Sequence, residues 1–228
     1  MLSYQYTYLL ANIFIFILFW LPLFFFRKDL RHKMLLLSIL IGFFGPLSEL
    51  WYLQDYWKPL TITNTSIGIE DYFFGFLIGG IGTVFYEEIF GKRFSNRHKR
   101  KHNWALIFVF ISGLSFLIFN LLFFFLKINS IYASVITFII LALTMILFRK
   151  DLWLDAVMSG VLCSFILLIC YLLLLTIYPE MFIKMWHLKN LSGLFINKIP
   201  IEEILWAFGW GMIAGPMYEF YAGIKFKK

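Results

Sequence analysis

Apolar residues run through this chain in seven long stretches, at about 6–26, 33–53, 69–91, 104–126, 131–148, 152–178 and 199–222, and most of the charge falls between them. A helix needs roughly 20 mostly apolar residues to cross a bilayer core. Each stretch is therefore expected to be a transmembrane helix, and the fold class is an all-α membrane protein with seven of them. The spacing leaves no room for a soluble domain, so 1–228 reads as a single integral membrane domain. The N-terminal "MLSYQYTY" has no basic segment and runs straight into the first stretch, so a cleavable signal peptide is not expected.

The pattern repeats. "FRKDL" closes the first stretch at Phe26–Leu30 and the fifth at Phe148–Leu152, 122 positions later. "IGIED" (Ile67–Asp71) opens the third stretch and "IPIEE" (Ile199–Glu203) the seventh, 132 positions apart. "FYEE" (Phe85–Glu88) and "MYEF" (Met217–Phe220) close the same two stretches at the same offset, and both stretches are rich in glycine. The change in offset fits a longer loop after the sixth stretch. Spans 1–3 (6–91) and 5–7 (131–222) are expected to be two copies of one three-helix unit, with 92–126 holding the connecting span. One connecting span returns the chain to its starting side, so the copies should be parallel and related by an axis near the membrane normal.

Charge orients the bundle. Of the 20 Lys and Arg, 15 lie in the loops after stretches one, three and five or at the C-terminus; the opposite side holds Lys58, Lys127, Lys184, Lys189 and Lys198. Basic loops stay in the cytoplasm, which puts the N-terminus outside and the C-terminus inside. The same asymmetry accounts for the net charge of +7. The run "KRFSNRHKRKH" (Lys92–His102) is read as topology and lipid-headgroup attraction, not nucleic-acid binding. His98 and His102 share a helical spacing, but no carboxylate or cysteine joins them, so no metal site is expected.

Composition agrees with the pattern and adds one hint. Hydrophobic residues make up 61% and charged residues only 14% of the chain, too few to cover a soluble surface. Aromatics reach 21%, which suits lipid-facing helices, interfacial belts or a pocket for a long apolar ligand. Cys163 and Cys170 lie seven residues apart in one stretch, about 10 Å along a helix and too far for a disulfide.

The acids form two layers about 25 Å apart along helices three and seven. The outer layer holds Glu49 and Asp55, then Glu70 and Asp71, then Glu202 and Glu203; the inner one holds Glu87, Glu88 and Glu219. Acids after Pro200 at a helix start can act simply as dipole partners. Their doubling suggests more: two pairs facing each other across a pseudo-twofold, joined by Glu49. Crowding in a dry site would leave some of these carboxyls protonated, giving a general acid beside a general base. The inner acids are expected to pair with Lys92, Arg93 and Lys225. "GGIG" (Gly79–Gly82) falls within a span and reads as close helix packing, and no Walker, nucleophile-elbow or metal-ligand motif is present.

Two three-helix units whose third helix opens on a "PxEE"-like motif resemble the lycopene cyclase domain family, the small all-membrane carotenoid cyclases. That family occurs as two short subunits or as one fused seven-span chain, and this sequence resembles the fused form. The motif is Pro200-Ile201-Glu202-Glu203, preceded by "GLFINKI" and followed by an aromatic helix; Gly68-Ile69-Glu70-Asp71 lacks the proline, and "GPLSELWYLQDYWKP" is loosely similar to an acid-then-tryptophan pattern. The resemblance implies a redox-neutral ring closure of an acyclic carotene. A carboxylic acid protonates the terminal double bond, a ring closes on the cation, and a base removes a proton. Glu202, Glu203, Glu70 and Asp71 are the expected acid/base groups, with Glu49 in support. No cofactor is expected, and the partners are membrane lipid and an apolar isoprenoid. A non-catalytic isoprenoid binder and a proton-coupled carrier remain open beside this reading. A retinal photoreceptor fares worse, because no lysine lies between Lys198 and Lys225. A carrier needs a polar path between the acid layers; an enzyme needs an apolar tunnel ending at one of them.

Overall fold

The structure, a computed structural model, describes residues 3–91, 94–95 and 103–226. Among the described residues seven long helices follow one another: α1 (Tyr4–Phe26), α2 (Arg31–Asp55), α3 (Ile69–Ile89), α4 (Trp104–Phe125), α5 (Ser130–Phe148), α6 (Trp153–Ile177) and α7 (Ile201–Ala222). Five of them, α1, α2, α4, α5 and α6, are long and apolar enough to cross a membrane. The helices α3 and α7 are of similar length but carry acids near both ends and several glycines. They are also the helices most enclosed by protein, so they need less apolar surface for lipid. Most of the run Lys92–His102, with its two histidines, lies outside the described residues.

Helix ends follow local chemistry. Pro22 has no N–H and crowds the carbonyl four residues back, and α1 widens into a π turn over Phe16–Trp20 just before it. Arg27 ends α1 by leaving helical geometry, and Arg149 ends α5 in the same way. Each arginine then folds onto the aspartate two residues on: Arg27 onto Asp29 at 2.9 Å and Arg149 onto Asp151 at 2.7 Å. Each also donates to a carbonyl near the end of a distant helix, Arg27 to Glu87 (2.8 Å) and Arg149 to Glu219 (3.2 Å). Leu30 and Leu152 close the two pentapeptides as fully buried residues. The doubled FRKDL therefore makes one set of contacts twice. At the other side Asn197 and Lys198, both at positive φ, form the two-residue turn of a small hairpin pairing Phe195–Ile196 with Ile199–Pro200, which leads into α7.

Tight pairs form the core: α2 against α3 and α6 against α7. Without a hydrophobic force between helices in lipid, small residues allow the backbones to approach. A side chain at Gly79 would meet the Leu37 carbonyl at 2.8 Å, and one at Gly211 would meet the Ser159 carbonyl at 2.3 Å. Gly79 and Gly211 are 132 positions apart, Leu37 and Ser159 122 apart, so both pairs use the same contact.

Between the pairs, α3 meets α7. Phe74 stacks on Trp206 with ring centres 6.1 Å apart, the Trp210 indole donates to the Ile78 carbonyl at 3.3 Å, and Gly82 faces the Ala214 methyl. These contacts advance together along both helices, always 132 positions apart, so α3 and α7 run parallel.

Candidate functional site

The outer acids lie at the start of α3 and α7 and near the end of α2; Glu49, Glu70, Asp71, Glu202 and Glu203 are buried, and Asp55 is half-buried. Glu202 and Glu203 are neighbours in the first turn of α7, so their side chains leave the helix about 100° apart. They meet different surroundings. Glu203 accepts hydrogen bonds at both oxygens, from the Trp186 indole (2.6 Å) and from the Tyr171 hydroxyl of α6. Glu202 turns to the preceding loop, accepting from the Ser192 backbone N–H (2.8 Å) and from Tyr132 of α5 (2.7 Å).

The two acids at the start of α3 divide in the same way. Glu70 accepts the Ile62 backbone N–H at 2.6 Å and braces the loop before α3. Asp71 caps its own helix by accepting the Gly68 N–H at 2.7 Å, and its carboxyl also interacts with the Tyr8 hydroxyl of α1. Glu49 accepts the Trp57 indole N–H at 2.9 Å. It sits one helical turn from Gly45, whose backbone packs on that of Asp71, so the two acids stand on neighbouring stretches of the α2–α3 contact.

Two tryptophans join the halves. Trp57 and Trp186 pair through an antiparallel backbone bridge, flanked by Lys58 N–H to the Met185 carbonyl (2.7 Å) and His187 N–H to the Tyr56 carbonyl (2.9 Å). Their rings lie 5.4 Å apart, with Tyr8 5.1 Å from Trp57 and Tyr171 6.3 Å from Trp186. Glu49, Asp71 and Glu203 thus face one aromatic-walled region, while Glu70 and Glu202 hold its loops. Asp55 belongs to neither group; it caps α5 through Ser130.

Inward from these acids the lining turns apolar. A cavity of about 30 Å³ lies between α1, α3, α6 and α7, bounded by Ile15, Ile78, Ile81, Cys163, Trp206 and Trp210. Trp206 is three residues beyond Glu203, and Ile78 seven beyond Asp71. Both cysteines are free thiols, as their spacing requires. Among the described residues no group of three or more His, Cys, Asp or Glu is arranged to hold a metal ion.

The inner acids have partners that the sequence reading did not name. Lys92 and Arg93 lie outside the described residues, as does the side chain of Lys225. Glu87 and Glu219 are both met by Lys33, a residue the sequence groups with the loop but which sits inside α2, 3% exposed. Glu88 pairs with Arg27 at 3.0 Å. Sequence reasoning also missed Tyr8, Tyr171, Trp57 and Trp186 as partners of the outer acids. A signal for the tryptophans was present: Trp57 follows α2 and Trp186 follows α6, each in the loop before an acid-bearing helix.

No curated protein and no solved structure matches the chain. A family match does exist, over less than half of the length, and it covers α5 to α7 with the hairpin, Trp186, Tyr171 and the acid pair. Residues 129–221 match the lycopene cyclase family, the same family that the Pro200–Glu203 motif resembles.

Proposed function

We propose that the chain is a carotenoid cyclase-like membrane enzyme that closes a ring at the end of an acyclic carotenoid or related isoprenoid by acid/base chemistry. The observation that carries this reading is the placement of three carboxyls, Glu49, Asp71 and Glu203, at the outer end of an apolar, aromatic-lined interval. Between the acid layers α3 and α7 present Phe74, Ile78 and Gly82 against Trp206, Trp210 and Ala214. A carrier would need polar steps along that interval, so its apolar character supports an enzyme or a binding protein.

The architecture behind this reading is seven spans in one domain over 1–228, with repeat one at 6–91, the connector at 92–126 and repeat two at 131–222. Constant offsets in the α3–α7 seam and the matched FRKDL contacts support two parallel copies. Basic-residue asymmetry supports an outer N-terminus and a cytoplasmic C-terminus.

Mechanistically, the crowded Glu49–Asp71 pair retains a proton and delivers it to the terminal double bond. The double bond's electrons form the new C–H bond, and a second double bond attacks the resulting carbocation to close the ring. Trp57, Trp186, Phe74 and Trp206 offer π-faces that stabilise the cation. Glu203, which accepts two hydrogen bonds as a carboxylate does, takes a proton from the ring and restores a double bond. One proton enters and one leaves, so no redox cofactor is needed. Glu70 and Glu202 contribute by fixing the loops that bear on the site. Pigment analysis of lycopene-accumulating cells expressing the chain tests this: cyclic carotenoid supports it, acyclic pigment that merely co-purifies indicates a binding protein, and neither result leaves the carotenoid reading without support.

A further inference from the structure

The far end of the seam holds a second buried cluster that ring closure does not use. Lys33 of α2 donates to Glu87 of α3 and, at 2.7 Å, to Glu219 of α7. Asp155 of α6 lies within electrostatic reach of the same ammonium and both glutamates, against Gly215 of α7, and its Oδ1 accepts from Ser159 at 3.1 Å. All four residues are at most 3% exposed. One oxygen of each acid, Glu87 Oε2, Asp155 Oδ2 and Glu219 Oε2, has no hydrogen-bond partner.

Among the described residues the charges do not balance: three carboxyls oppose one ammonium. The nearby arginines are taken up elsewhere: Arg27 by Asp29 and Glu88, Arg149 by Asp151, and both reach the cluster only at the carbonyls of Glu87 and Glu219. The Lys33 ammonium also lies 5.8 Å from the centre of the Tyr218 ring. Among the described residues no other cation faces the three acids.

Sequence position sharpens the point. Lys33 and Asp155 each stand seven residues after the Phe of FRKDL, so the second copy places an acid where the first places the cation. A purely structural ion-pair lock would be served by two lysines. Buried carboxyls without a counter-cation bind protons, because an uncompensated charge in apolar surroundings costs more than giving up ionisation.

We propose that Lys33, Glu87, Asp155 and Glu219 form a proton-binding site that holds two protons at neutral pH. Loss of either proton sets like charges against each other where α3 and α7 meet, which makes the joint between the halves responsive to pH on that side of the membrane. The apolar interval separates this site from the outer acids, and the inference does not rest on the cyclase reading.

Infrared spectroscopy of the purified full chain tests it, by the carbonyl stretch of protonated carboxyls at neutral pH in salt-free buffer and with added sodium or potassium chloride. Asp155→Asn and Glu219→Gln should each weaken that band, and Lys33→Met should strengthen it as the site takes up a further proton. If Lys33→Met does not fold, the other two variants decide. An unchanged band in folded Asp155→Asn and Glu219→Gln would overturn the proposal. So would a band that sodium or potassium abolishes, since the missing charge would then be a metal cation.

Discussion

Trp57 and Trp186 stand 5.4 Å apart, and each donates its indole N–H to a different buried carboxylate, Glu49 or Glu203. Each comes from the loop after the second helix of its half, and the backbone bridge between them ties the loops together. Trp186→Phe keeps an aromatic wall but removes the donor that fixes Glu203. Loss of a hydrogen bond to a charged group costs about 1.5–3 kcal/mol, so cyclisation should slow by about tenfold or more while the folded yield holds. Pigment yield per unit of folded protein measures this.

The two neighbouring glutamates of α7 should separate in function. Glu203→Gln removes the group placed to accept the proton, and its cost should be about 100-fold or more in rate. Glu202→Gln keeps an acceptor for Tyr132 and Ser192 and should stay within about tenfold of the parent. Equal loss in both variants would mean that the pair shares the work.

Packing at the glycine contacts predicts stability directly. Gly211→Val puts a side chain 2.3 Å from the Ser159 carbonyl and forces α6 and α7 apart, which should cost about 1–3 kcal/mol or more. Gly113→Ala, where nothing lies within 4 Å, is the matched control and should be neutral. Thermal unfolding in detergent compares the two.

Orientation has its own test. A cysteine placed at Ser95, with Cys163 and Cys170 replaced by alanine, should stay unlabelled by an impermeant thiol reagent in intact cells and react once the membrane is opened. Strong labelling from outside would reverse the topology.

Much of the architecture was legible in the sequence because its signals are local. Helix positions followed from apolar run length, and the doubled FRKDL anticipated the matched arginine turns at Arg27 and Arg149. The site was legible only in outline. Sequence position put Glu202 and Glu203 in the same turn, but which one faces Trp186 depends on rotation about the helix axis and on partners from α5, α6 and the loops. Lys33 read as a loop cation because it follows a basic run. Its burial depends on Glu87 and Glu219, which stand 54 and 186 positions away.

The central claim is that the carboxyl cluster adds one proton to the substrate and removes another without redox change. Cells that accumulate lycopene and express the chain, grown in heavy water after the lycopene has formed, test it through the mass of the cyclic product. The account predicts one solvent deuterium per ring formed, with both ring and label lost in the Glu203→Gln variant. A cyclic product without deuterium, or full cyclisation by Glu203→Gln, would contradict it.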